Sequence, residues 1–123
     1  MNSNNLEQEL RQFTGTEGYT RWSALFRNFV LTDGALYLAE QAKCFWLMDM
    51  VASHVGSYKD EGFVVAKLRR ARATEGWLLA IEDGNDNVLA HQRIEFSDFP
   101  LDEITLYVIP QDDLWVILLP SEY

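Results

Sequence analysis

The chain has 123 residues, 48% of them hydrophobic and 13% aromatic, with 19 acidic against 10 basic side chains and a net charge of −9. That size and apolar content predict a single domain over residues 1–123 with a real core, which excludes a disordered chain. One cysteine excludes an internal disulfide and a cysteine-rich zinc site, and the lack of a leader-like start or a membrane-length apolar run predicts a cytoplasmic protein that does not enter a membrane.

Taken in order, Leu6, Leu10 and Phe13 share a helical spacing, with Ser3 or Asn4 as cap, Glu7 completing a capping box and Gly15 as terminator. Residues 19–31, YTRWSALFRNFVL, are aromatic and punctuated by arginine, and predict two short extended pieces at 19–24 and 28–31. Arg21 beside Trp22 permits a cation–π contact, though a half-exposed aromatic is the simpler reading. The dominant helical stretch follows at residues 32–55. Thr32-Asp33-Gly34 supplies the start and Gly56 the stop. Ala35, Leu38, Ala39 and Ala42 make one apolar stripe, and Cys44, Leu47, Met48, Val51 and Val55 make a second in a different phase. The shift predicts two helices broken near Lys43, with Trp46, Asp49 and Ser53 on the outer side of the second.

After the turn-rich residues 57–62, strands are predicted over 63–71, 76–82 and 88–96. Asp83-Gly84-Asn85-Asp86-Asn87 joins the last two as a hairpin turn. Its Asp-x-Asn-x-Asn spacing opens like a calcium loop, but Val88 and Ile94 stand where that loop needs Gly and Glu, so calcium is rejected. Residues 97–103 form a linker. Then ITLYVI and LWVILL flank a second hairpin at 110–113, and the non-alternating run at 114–119 predicts a central strand covered on both faces. Helices early and strands late predict an α+β fold: an antiparallel sheet of about five strands with a helix pair packed on one face.

The charge is unevenly divided. Residues 1–81 hold nine acids and nine bases, whereas residues 82–123 hold ten acids and only Arg93, so the whole net charge falls in the last third. A face of that kind repels nucleic acid and bare anionic membrane and attracts basic surfaces; a solubilising rim is the plain alternative. Asp98, Asp102, Glu103, Asp112 and Asp113, joined by Trp22 and Trp46 as apolar anchors, make the candidate partner-binding set. Lys67, Arg69, Arg70 and Arg72 form the basic cluster, expected to pair across strands with acids such as Glu82 or Glu95.

No catalytic signature emerges. Cys44 lies on a packing stripe, and His54, ten residues on, does not overlie it on a helix. His54 and His91 lack close metal-ligand spacing, and no glycine-rich phosphate loop accompanies the arginines, so neither cofactor nor metal is expected. Three functional readings follow. The first is a non-enzymatic protein-interaction module, possible also as a homodimer. The second is a small enzyme or ligand binder with a pocket between helices and sheet holding His91, Arg93 or Cys44. The third is an acidic inhibitor that occupies the nucleic-acid-binding surface of a basic partner.

Four segments carry a resemblance across nearly the whole chain: FTGTEGYTRW, LTDGALYLAEQAKCFWLMDMVAS, DFPLDEITLYVIP and the closing LLPSEY. Together they resemble a domain-of-unknown-function family of small proteins found in bacterial chromosomes, plasmids and phages. The resemblance implies a single-domain cytoplasmic protein accessory to mobile elements, and it implies no activity, cofactor or catalytic residue.

Overall fold

A computed structural model describes residues 3–58, 60–71, 76–95 and 97–123. In chain order these form α1 (Ser3–Arg11), β1 (Phe29–Leu31), α2 (Asp33–Gln41), α3 (Phe45–Val55), β2 (Val64–Arg70), β3 (Trp77–Asp83), β4 (Val88–Ile94), β5 (Glu103–Gln111), β6 (Leu114–Leu118) and a C-terminal 3-10 turn, Pro120–Glu122.

The fold is α+β, but the sheet corrects the sequence expectation of about five antiparallel strands. It has six strands in the order β1-β6-β5-β2-β3-β4, and β1 runs parallel to β6 while every other pair is antiparallel. The extra strand is the short apolar piece Phe29–Leu31. It adds to the outer side of β6 because Phe29, Val30 and Leu31 need burial and find it there. The other extended piece expected at 19–24 is not a strand; it touches the sheet through one bridge, Thr20 to Leu31. β6 fulfils its reading as a covered strand: Trp115, Val116, Ile117 and Leu118 are all buried.

The helix break falls at the expected place. Ala42 caps α2, Lys43 takes a left-handed φ of 52°, and Cys44 opens α3. A Gly stop is also present, although Gly56 keeps a right-handed φ of −56°. The α1 start differs from the reading: Ser3 and Asn4 lie within the first turn, and the helix ends at Arg11, before Gly15.

Strand alternation decides where the core sits. On β2, Val64, Ala66 and Leu68 are buried; on β3, Trp77, Leu79 and Ile81; on β5, Leu106 and Val108. Against them lie Leu47, Met48, Val51, Ala52 and Val55 of α3, Leu38 and Ala39 of α2, and Leu6 and Leu10 of α1. The helices therefore share one face of the sheet. The other face of β2–β5 shows half-exposed or exposed side chains, among them Val65, Lys67, Arg69, Leu78, His91, Arg93, Thr105 and Tyr107.

Pro110 lies inside β5 rather than in the turn, so the β5–β6 loop is only Asp112-Asp113. The Arg70 N–H donates to the Asp102 carbonyl, which turns the even-numbered backbone groups of β5 toward β2. The β2 ladder ends at Val64 opposite Val108, so the N–H that Pro110 lacks would face no strand.

Candidate interaction surfaces

The late carboxylates do not gather on one face. Asp98, Asp102 and Glu103 lie at or just before the start of β5, and Asp112 and Asp113 lie in the turn at its other end, roughly 27 Å away for a nine-residue strand. All five are exposed. Asp102 bonds Arg70 at 3.5 Å, and Glu103 stands across the ladder from Arg69. Lys67 pairs with Glu82 at 3.2 Å, as the strand pattern predicted; Arg72 lies outside the described residues.

The sixth late acid is structural. Glu122 accepts from the Thr32 hydroxyl at 2.6 Å, from the Leu119 N–H at 3.0 Å and from the Gly34 N–H at 3.0 Å. A carboxylate thus sits on the positive N-terminus of α2 and satisfies donors that the helix itself leaves unpaired. Thr32 adds the ordinary cap by accepting from the Ala35 N–H. Nearby, Thr16 accepts from the Asp33 N–H, and Asp33 accepts from the Glu17 N–H, each at 2.9 Å. Three of the four segments quoted above meet here, far apart in the chain but joined in space. The sequence carries no local sign of this role for Glu122, because nothing within a few residues says which helix it reaches.

The two tryptophans proposed as anchors are half-buried. Trp22 stacks on Phe26 at 6.4 Å, and its indole N–H donates to Asp49 of α3 at 2.8 Å. Trp46 meets Phe99 edge-on at 6.5 Å, and Phe99 packs in turn on Trp77. Phe45 and Trp46 lie four and three residues before Asp49 and share with it the outer flank of α3, as expected for Trp46 and Asp49. Phe45 keeps 36% of its surface exposed, and Leu25, in the loop held by Trp22, keeps 81%. Arg21, Trp22, Ser23, Ala24 and Arg27 line an open hollow of about 520 Å³ in that loop. Arg21 donates to the Arg27 carbonyl; among the described residues the cation–π contact is instead Arg70 over Trp77, 4.5 Å from the ring centre.

The residues of the pocket reading are separated. Cys44 is fully buried, donates to the Leu38 carbonyl, and has its pKa pushed up to about 12 by burial, which opposes formation of the thiolate a nucleophile needs. His54 bonds Gln92 at 2.8 Å on the helix face, while His91 and Arg93 are exposed on the opposite face. The hollows lie elsewhere. One of about 220 Å³ runs between α1, the start of β5 and the C-terminal turn. Another, about 570 Å³ and open, is walled by Phe63, Tyr107 and Tyr123, whose rings lie 4.9–5.6 Å apart. Sequence reading missed this aromatic trio because Tyr123 is brought to Phe63 only by the C-terminal turn.

Asp83 holds its turn by accepting from the Asn85 and Asn87 backbones at 2.8 and 3.0 Å and from the Asn87 side chain at 3.0 Å. Those bonds commit its carboxylate to the hairpin turn that the composition of residues 83–87 predicted.

No helix among the described residues is long and apolar enough to cross a membrane. The chain belongs to a family of unknown function, DUF6876, whose family model matches residues 4–123. No curated protein and no solved structure matches it.

Proposed function

We propose that this member of the family is a protein-interaction module that docks through the outer flank of α3. The observation that carries the reading is the set of incompletely buried apolar groups on α3 and on the loop bonded to it: Phe45 and Trp46 on the helix, and Leu25 in the loop that Trp22 pins to Asp49. Half-exposed indoles on a rigid element provide contact area at little further ordering cost, which is what interface anchors need. Asp49 lies on the flank itself, and Asp98 and Asp102 are exposed in the segment whose Phe99 packs on Trp46, so the reading calls for a partner that presents apolar side chains rimmed by lysine or arginine. Asp112 and Asp113, at the far end of β5, act as a separate solubilising spot. A small adaptor of this kind, free in the cytoplasm, suits the plasmid- and phage-borne setting implied by the segment resemblance, with a basic nucleic-acid-binding protein as one partner class.

The test is capture of a defined partner from the native host by the full chain, followed by variants. Leu25→Ser with Phe45→Ser abolishes capture if the flank is the interface. Asp98→Lys with Asp102→Lys weakens it and makes the remainder less salt-sensitive, whereas Asp112→Lys with Asp113→Lys leaves it intact. Capture indifferent to the first pair rejects the surface. A second copy as occupant is read separately by sedimentation of the wild type and the Leu25/Phe45 variant.

A further inference from the structure

The edge of the sheet at β4 supports an inference separate from the α3 flank. β4 spans Val88–Ile94, and among the described residues no strand pairs with its outer side. The direction of its backbone groups follows from the ladders. Arg70 donates to the Asp102 carbonyl on the β5 side, and Ala71 donates to the Gly76 carbonyl on the β3 side. Odd-numbered β2 residues therefore bond β3, and by register the odd residues of β3, Trp77, Leu79 and Ile81, bond β4 at Ile94, Gln92 and Ala90. His91 and Arg93 then point their N–H and C=O groups away from the sheet. At Leu89, where the β3–β4 register shifts, the carbonyl accepts from the Tyr58 hydroxyl at 2.7 Å, which closes that end of the edge.

The side chains of His91 and Arg93 are both exposed and both lie on the helix-free face. In a strand added antiparallel to β4, the residues opposite them are two apart and project on that same face. We propose that β4 accepts an extended peptide segment bearing two carboxylates at alternate positions. Four main-chain hydrogen bonds, to the N–H and C=O groups of His91 and Arg93, give the docking, and the Arg93 guanidinium with an N–H donor of the His91 ring selects the side chains. Lys67 and Arg69 add positive charge on the same face, offset in part by Glu82 and Glu103. Glu95, exposed two residues beyond Arg93, opposes a third carboxylate, so the motif is a pair rather than an acidic run. A second copy of β4 competes only in a register centred on Ile94, which would set Arg93 against Glu95; pairing centred on Gln92 or Arg93 brings Arg93 against His91 or against another Arg93, and the dependence of protection on protein concentration separates a second copy from the peptide.

The test uses the full chain, isotopically labelled, with a Thr-rich synthetic peptide carrying glutamate at two alternate positions and the same peptide carrying lysine. With the glutamate peptide in excess, amide exchange at His91 and Arg93 slows about tenfold or more, and the lysine peptide has no effect. Arg93→Glu, at an exposed site, reverses the preference. Unchanged exchange at both amides, equal protection by both peptides, or protection that grows with protein concentration without peptide overturns the proposal. The Leu25→Ser, Phe45→Ser variant keeps the peptide response, so failure here and failure of the α3 flank are read apart.

Discussion

Lys43 and Cys44, side by side at the helix break, show how differently neighbouring residues are constrained. A left-handed lysine costs about 1–2 kcal/mol, and glycine removes that cost at a smaller entropic one. Lys43→Gly is therefore expected to raise stability by roughly 0.5 kcal/mol, read as a higher urea midpoint at unchanged slope. Cys44 is governed by burial: with its thiol pushed up to about 12, it resists alkylation in the native protein at mildly alkaline pH and reacts only after unfolding. Mass-spectrometric detection of rapid native-state modification would contradict that. At Asp83, the Asn87 side chain, then the Asn87 and Asn85 backbones, hold the carboxyl below its usual pKa of 3.8. The stabilisation is full above that value and is lost as pH falls through the depressed folded value. Asp83→Asn should flatten the acid limb of the Tm–pH curve and leave its neutral region less altered in slope.

At the level of elements, α2 depends on a contact supplied from the far end of the chain. A Cβ at Gly34 would stand 2.6 Å from Glu122 Oε1 and 2.7 Å from Leu119 Cδ1. Glycine is needed for space, since its φ is not left-handed. Gly34→Ala is expected to cost about 1–3 kcal/mol by displacing the C-terminal turn. Glu122→Ala leaves the Gly34 and Leu119 donors without their acceptor and is expected to cost about 2–3 kcal/mol. Combined, the two changes act on one contact, so their effects fall short of additive in a double-mutant cycle by denaturant unfolding. Additivity would show that Glu122 and Gly34 act independently.

For the whole molecule, the consequence is a two-faced sheet. Helices seal one side, and the other carries Lys67, Arg69, His91 and Arg93 in a chain whose net charge is −9. The acids from Asp98 onward are split between the two ends of β5, with Glu122 set apart as a helix cap. Charge reversal at Asp112 and Asp113 is accordingly expected to lower solubility near neutral pH without weakening partner capture, measured by precipitation and pull-down on the same variants.

Local chemistry was enough for most of the elements, though not for residues 19–24, which touch the sheet through a single bridge. The phase change between the Ala35 and Cys44 stripes marked the helix break, the Asp83–Asn87 composition marked the hairpin, and alternation on β2 marked both a buried face and the Lys67–Glu82 pair. These features are written within a few residues, where backbone preference and side-chain period act directly. What the tertiary structure alone decided was pairing between distant segments. It placed Phe29–Leu31 beside β6, Glu122 on α2, Tyr123 beside Phe63, and the late acids at opposite ends of one strand. Composition counts charges but carries no distance. Strand order, and with it the identity of the exposed edge, is set by which apolar faces bury together, a balance summed over the whole core.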